Sequence, residues 1–545
     1  MLKYNLLIKE GIKNASNNDF KKAEINFINA INNNKKKYQA YLNLSNTYVI
    51  QNKEDEAVEL LIDYIKKQGF NEFIANHAGM ICLKYNLNIL VKKLFRACKS
   101  NLNLKSKKNN YLFYIQGMFH NKERNFNKAK NSFIESISND NYFFNSYVQL
   151  FNLLEKINQL KLLKYYIDLG YNNFKEKEKI YVIYLYHAIY LNRENKFKDS
   201  QKIFLQYKLE EKLKNNKNYL YKLLDIQSKN YEKLKKYNIA FKTVLKRNKI
   251  TINRSENKVY DRSNIIDTIE VYKKFYTNEN YLKITNRLNY LDDSKLVFLV
   301  GFPRSGTTLL DSILRSHSSI NVLEEKPFLL DTRHEYFKKN KNNITEFLNI
   351  SQNEKDFIRK SYYKKIMDTI KNKNKYKKII IDKLPLSIIE IGFIKCIFPN
   401  SKIILAMRHP CDVITSCLFS SFKINDAMIN FLNINHTIDF YNKVFDLFEH
   451  YEKEFNLQYL TIKYEDVVTN FKSNINKIFK YIDVKYEKDV EKFYITAQKR
   501  NKIYTPSYTQ VINPLYQSSI ARWKNYTVIK NSKKNLDRWI KKFKY

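Results

Sequence analysis

The sequence predicts an α-helical repeat array followed by an α/β domain built on a central parallel sheet. Three observations predict it. In the first half, a small residue followed four positions later by a large one recurs at intervals of roughly 34 residues. After Val297 the pattern changes to short β-branched runs separated by helical stretches. At the change, the stretch VFLVGFPRSGTTLL (297–310) carries Gly301 and Gly306 at the spacing of a phosphate-holding loop.

Composition sets the outer limits. The chain has 545 residues, enough for two or more domains with separate cores. A hydrophobic share of 44% argues against a disordered chain, and only 8 Gly and 7 Pro argue against a loop-rich all-β fold. A formal net charge of +43 would ordinarily point to nucleic acid. The lysines are spread along the whole chain, however, and accompany abundant Asn, Ile, Tyr and Phe, the residues that A/T-rich codons supply. Codon bias explains the charge better than nucleic-acid binding, with attraction of anionic ligands as a by-product.

The five cysteines, Cys82, Cys98, Cys396, Cys411 and Cys417, form no CxxC pair and have no histidine at metal-ligand spacing. Reduced thiols in a cytoplasm fit that pattern. The N-terminal MLKYNLLIKEGIKNASNNDF lacks the apolar core of a secretory signal, and no window reaches the length of a membrane span. A soluble cytoplasmic protein is expected.

The repeat array is expected over residues 1–250. Ala23, Phe27 and Ala30 share one helical face; Ala57, Leu61 and Tyr64, then Val91, Phe95 and Cys98, take the same places at the next two intervals. With small insertions the series resumes as Ala129 and Phe133, Leu163 and Ile167, Ser200 and Phe204, and Ala240 and Val244. Small residues beneath large ones let paired helices approach closely. This period and pattern resemble the tetratricopeptide repeat. The resemblance implies a superhelix whose concave surface binds a protein or peptide. The apolar stripes themselves are first of all packing between helices. Residues 251–292 are polar and helical without the period, and read as a connector.

The α/β domain is expected over 293–545. The runs VFLV, KKIIID (377–382), SKIILAMR (401–408) and LQYLTIKYED (457–466) read as strands. Continuous apolar strands between helical segments indicate a parallel sheet covered on both faces. Ligands of such sheets bind beyond the carboxyl ends of the strands. Three of those ends carry charge: Arg304, then Asp382 with Lys383, then Arg408.

The loop itself suggests an anion. Gly301 and Gly306 allow a turn that points successive N–H groups inward, and a helix beginning near Thr307 adds its positive dipole end. Thr307 and Thr308 offer hydroxyl donors, and Arg304 a charged fork. A loop for a nucleoside triphosphate needs a lysine where Thr307 stands, and an aspartate for Mg²⁺; neither is evident. The loop suits a single terminal phosphate.

GFPRSGTTLLDSILRSH resembles the 5′-phosphosulfate loop of sulfotransferases that use 3′-phosphoadenylyl sulfate (PAPS). More narrowly it resembles the protein-tyrosine sulfotransferases and the bacterial sulfotransferases that follow tetratricopeptide repeats. The resemblance implies that Arg304, Ser305, Gly306, Thr307 and Thr308 cradle the donor's 5′-phosphosulfate. It gives Arg408 and Ser416, in MRHPCDVITS, to the donor's 3′-phosphate. In INVLEEKPFL it makes Glu325 the base, with Glu324 as runner-up. Smaller cytosolic members use histidine instead, so His317 and His334 stand further back. Lys383, in IIIDKLPLS, corresponds to the lysine that stabilises charge on the bridging oxygen.

Tyr464 falls near the family's adenine site, and SYTQVINPLYQSSIARWKNY (507–526) resembles the segment that closes over the donor, with Ser518, Ser519, Arg522 and Trp523 in familiar places. Two departures weaken particular contacts. Asn513 stands where a cation often precedes the proline, and Lys326-Pro327 stand where the tyrosine enzymes place arginines for acidic peptides. The expected function is sulfuryl transfer from PAPS, without a metal, to a protein tyrosine, a glycan or a small hydroxyl metabolite. The competing reading is a repeat scaffold with an inactive nucleotide-binding domain. A phosphotransferase is disfavoured by Thr307, and nucleic-acid binding comes last.

Overall fold

The fold is seen in a computed structural model, which describes residues 2–101, 110–254, 259–285, 293–339, 343–370, 378–499, 515 and 517–545. The chain divides into two compact units, Met1–Asn215 and Asn216–Tyr545.

Among its described residues the first unit is helical throughout, a succession of pairs running from Leu2–Ser16 with Phe20–Asn33 to Lys177–Arg193 with Phe197–Gln206. The small–large pattern is its core. Ala23, Phe27, Ala57, Leu61, Ala129, Phe133, Leu163 and Ile167 are all buried. Ser200 is buried too, and its hydroxyl donates to Ala188 O at 2.7 Å, so a polar residue holds a core place at no unsatisfied cost. Phe95 is only half-buried, and Leu94 one position earlier takes the core place.

The turns within the pairs repeat the period in a second way. Asn18, Asn52, Asn86, Asn158 and Asn195 all have φ between 58° and 62°. Asparagine tolerates this left-handed backbone better than other residues with a Cβ. The chain thus makes its helix turns almost without glycine.

The second unit opens with a further helix pair, α1 (Lys217–Lys233) and α2 (Tyr237–Ile252), in which Ala240 and Val244 are again buried. Among the described residues its sheet has five strands: β1 (Leu296–Gly301), β2 (Ile320–Glu324), β3 (Ile379–Lys383), β4 (Lys402–Met407) and β5 (Leu460–Lys463). All pairings are parallel, in the order β2-β3-β1-β4-β5. Helix α3 (Thr307–Arg315) follows β1, and α4 (Pro410–Phe419) follows β4.

Both faces of the sheet are covered. Val297 and Leu299 of β1 join Leu310 and Ile313 of α3 in one core, while Phe298 and Val300 join Tyr362, Phe398 and Phe440 in the other. Two-sided burial is why the strands read as unbroken apolar runs. Each fully buried side chain of this size contributes about 2 kcal/mol.

One strand was not expected. INVLE, broken by Asn321, does not stand out as an apolar run, yet it pairs with β3 along its length, from Ile320 opposite Ile379 to Glu324 opposite Lys383. The two glutamates therefore sit at a strand's end and not on an open loop, and Glu324 is only 6% exposed. Among the described residues no helix is long and apolar enough to cross a membrane. All five cysteines are buried and unpaired.

Candidate functional site

The central strand β1 has β3 on one side and β4 on the other, so the loop after it lies where the sheet's connections diverge. Gly301, at φ 155°, begins the loop; a Cβ there would stand 2.5 Å from Ala406 O of β4. Arg304 follows with φ 74°, and Gly306 with φ 94°. Strained backbone of this kind clusters where a chain wraps a ligand. No side chain among the described residues caps the start of α3, whose positive dipole end faces the loop, while Gly306 O accepts from the Leu309 and Leu310 N–H groups. Ser305, Thr307 and Thr308 are buried at this helix start.

Ser416 of α4 ties into this loop, its Oγ accepting a hydrogen bond from Arg304 Nε at 2.9 Å. Arg408, at the end of β4, donates from Nη1 to Arg304 O at 3.4 Å and from Nη2 to Ser519 O at 2.5 Å. Its Nε is buried and has no hydrogen-bond acceptor among the described residues. The guanidinium lies 5.0 Å from the centre of the Tyr464 ring, and the same ring is what a Cβ on Gly306 would strike at 3.0 Å. Loop glycine, tyrosine and arginine thus form one stack.

The surroundings of Arg408 are cationic. Burial, with Lys533, Lys524 and Arg408 nearby, pushes the neighbouring His409 down to about 4. Its neutral ring lies flat on Trp523, with centroids 5.1 Å apart, and its Nδ1 accepts from Cys411 N. Asp412 of α4 accepts from Ala521 N at 2.8 Å and from Trp523 N at 2.9 Å, pinning residues 517–526 across the helix start. We call this segment the strap. Ser518 is exposed on it, whereas Ser519 faces the site. Asn513 lies outside the described residues.

A second cluster meets the loop from β3 and β2. Lys383 is fully buried, and its Nζ donates to Glu325 Oε1 at 2.8 Å, with Asp311 Oδ2 of α3 at 3.7 Å. Glu325 turns out of β2 at φ 47°, its N–H donating to Lys383 O at 2.8 Å, and its side chain stays 30% exposed. Strand alternation sends the preceding Asp382 to the opposite core, where it accepts from Tyr362 OH at 2.6 Å and burial raises its carboxyl to about 7.

These groups border a cavity of about 430 Å³. Arg304, Gly306, Thr307, Thr308, Arg408 and Tyr464 line one side of it, and Glu325 with Leu330, Leu384 and Leu386 another. Ser305, Lys383 and Ser416 stand behind the lining. Neither His317 nor His334 reaches it: His317 is bonded to Lys485 O at 2.8 Å, and His334 is exposed.

Sequence reasoning missed Asp311, although its place four residues after Thr307 and four before Arg315 put it on the loop's face of the helix. It also missed the wall formed by Arg333 and Glu390, whose atoms come within 3.4 Å, and for which no local pattern existed. The Ser519 contact is a backbone carbonyl and leaves no trace in residue type.

Residues 297–488, which carry the loop, Glu325, Lys383, Arg408, Ser416 and Tyr464, match the sequence profile of the sulfotransferase family. The α/β unit holds a sulfotransferase-like domain. Residues 10–218 match the profile of anaphase promoting complex subunit 8 / Cdc23, and form the repeat region. An uncharacterized protein of Aquifex aeolicus is 29% identical over 248 residues, covering 43% of this chain and 31% of its own length. The chain therefore spans about a third of that curated relative.

Among solved structures, the sulfotransferase domain of the Synechococcus PCC 7002 olefin synthase is 16% identical with a TM-score of 0.33, covering 48% of this chain and 98% of its own. The sulfotransferase domain of the curacin biosynthetic pathway is 18% identical with a TM-score of 0.31, covering 45% and 96%.

Proposed function

We propose that the sulfotransferase-like domain transfers a sulfuryl group from PAPS to an acceptor hydroxyl, acting in the cytoplasm on acceptors that include tyrosine in proteins, with the repeats recruiting the acceptor. The observation that carries the reading is the contact of buried Lys383 with the part-exposed Glu325 at 2.8 Å, beside the same cavity as the glycine loop and Arg408. The fit of the donor is supported by the start of α3, which no side chain caps among the described residues and which suits its 5′-phosphosulfate, and by the buried Arg408 Nε, which has no acceptor among the described residues and suits its 3′-phosphate.

In this reading the acceptor oxygen attacks sulfur in line with the bridging oxygen of the 5′-phosphate. Glu325 takes the acceptor's proton as the new O–S bond forms. The bond between sulfur and the bridging oxygen breaks, and Lys383 hydrogen-bonds that oxygen as its negative charge grows. Asp311 and Glu325 hold Lys383 Nζ in place beside the donor loop. Arg304, Ser305, Thr307, Thr308 and Ser416 fix the donor, Tyr464 flanks its adenosine, and Ser518 completes the closing segment.

The test uses Glu325→Gln and Lys383→Met with ³⁵S-labelled PAPS and a panel of tyrosine peptides, glycans and simple phenols. Each variant is expected to lose about a hundredfold in transfer rate, while binding of 3′-phosphoadenosine 5′-phosphate (PAP, the spent donor) changes less than about threefold. Unchanged transfer by the glutamine variant would remove Glu325 from the role of base.

A further inference from the structure

We propose that Glu232, on the repeat-like helix α1, is a positioning residue of the donor site: it anchors the strap whose Ser519 carbonyl holds Arg408. The inference rests on the donor reading above and adds a residue from a part of the chain where no donor contact was expected.

Three donors converge on the Glu232 carboxylate. Arg522 Nε and Tyr526 OH reach Oε1, the latter at 2.8 Å, and Arg522 Nη2 reaches Oε2 at 2.8 Å. The pair is sheltered, with side-chain exposures of 21% for Arg522 and 20% for Glu232, and the guanidinium lies 4.6 Å over the ring of Phe419, the last residue of α4. A two-pronged carboxylate–guanidinium pair fixes geometry as well as charge. Arg522 belongs to the segment resembling the family's closing segment, yet its fork is committed to Glu232 and does not face the cavity.

The same helix pair also grips the C-terminal end of α4 directly. Arg247 of α2 is 1% exposed and donates to Leu418 O at 2.8 Å and Phe419 O at 3.1 Å, a cation seated on the helix's final carbonyls. Asp225 of α1 holds that guanidinium at 2.6 Å. Helix α4 carries Ser416, bonded to Arg304, and Asp412, bonded to the strap at Ala521 and Trp523. The strap is therefore held at Asp412 and at Glu232, and between the strap and the loop stands Arg408. Pre-set geometry of a guanidinium lowers the ordering cost of gripping a phosphate.

Calorimetric titration of the full chain with PAP and with adenosine 5′-phosphate, which lacks the 3′-phosphate, tests this. Glu232→Gln keeps an acceptor for Tyr526 and removes the charge facing Arg522. It is expected to weaken PAP about tenfold and adenosine 5′-phosphate less than threefold. Arg522→Gln, approaching the pair from the strap, should give the same loss, and the double variant should be no worse than either single one. Equal weakening of both nucleotides, or unchanged PAP binding in either variant, would overturn the inference. A wild-type chain that does not prefer PAP over adenosine 5′-phosphate would overturn the donor reading and this inference with it.

Discussion

Asp382 and Lys383 are neighbours in sequence with opposite fates, because successive residues of a strand face opposite sides of the sheet. Lys383 meets Glu325 and Asp311, while Asp382 is enclosed with Tyr362 and titrates near 7. A carboxyl raised from about 3.9 in the unfolded chain keeps its proton longer when folded, so the folded state binds more protons between those two pH values. Its contribution to stability is complete below about pH 4 and is lost as pH rises toward 7, at up to about 1.4 kcal/mol per pH unit. Asp382→Asn abolishes that titration. Denaturant unfolding at pH 5 and pH 7 should show the variant gaining on the wild type as pH rises; parallel behaviour would mean Asp382 is ionised in the fold. At this scale the sequence was partly legible. The place of Lys383 followed from the end of an apolar run, but its partner Asp311 required knowing how far α3 turns.

The loop after β1 and the turns between helix pairs solve the same backbone problem with different residues. In the helix pairs, asparagine adopts the left-handed turn at positions spaced like the repeat itself. That signal lay in the sequence beside the small–large pattern and would have located every turn it marks. In the loop, Gly301 has a backbone carbonyl 2.5 Å from where a Cβ would go, whereas Gly306 faces only a tyrosine ring. Gly301→Ala must push β1 from β4 and should cost about 3 kcal/mol in denaturant unfolding. Gly306→Ala should cost less stability but displace Tyr464 from beneath Arg408, weakening PAP about tenfold. Equal stability losses would contradict the distinction. Apolar runs revealed four of the five strands to within a few residues. The edge strand β2 escaped because its apolar run is interrupted by Asn321 and its place is defined by its partner β3.

Across the whole chain, period and composition separated a helical region from an α/β region, and the profile matches fall on the same two regions. What composition could not show is that the helix pair Lys217–Ile252, patterned like its predecessors, belongs to the compact unit that holds the sheet. Its membership is written in buried polar contacts, Arg247 to α4 and Glu232 to the strap, which cost little to encode and have no periodicity. The charge of +43 likewise has no address in sequence, whereas the fold gathers Arg304, Lys383 and Arg408 around one cavity. In the proposed reaction these cations serve a donor phosphorylated at both ends of its adenosine. Calorimetric titration of the wild type and of Arg408→Ala with PAP, adenylyl sulfate and ATP–Mg²⁺ tests it most directly. PAP should bind the wild type tightest, and Arg408→Ala should lose at least tenfold for PAP while sparing adenylyl sulfate. Tighter binding of ATP–Mg²⁺ than of PAP, or equal loss of PAP and adenylyl sulfate in the variant, would contradict it.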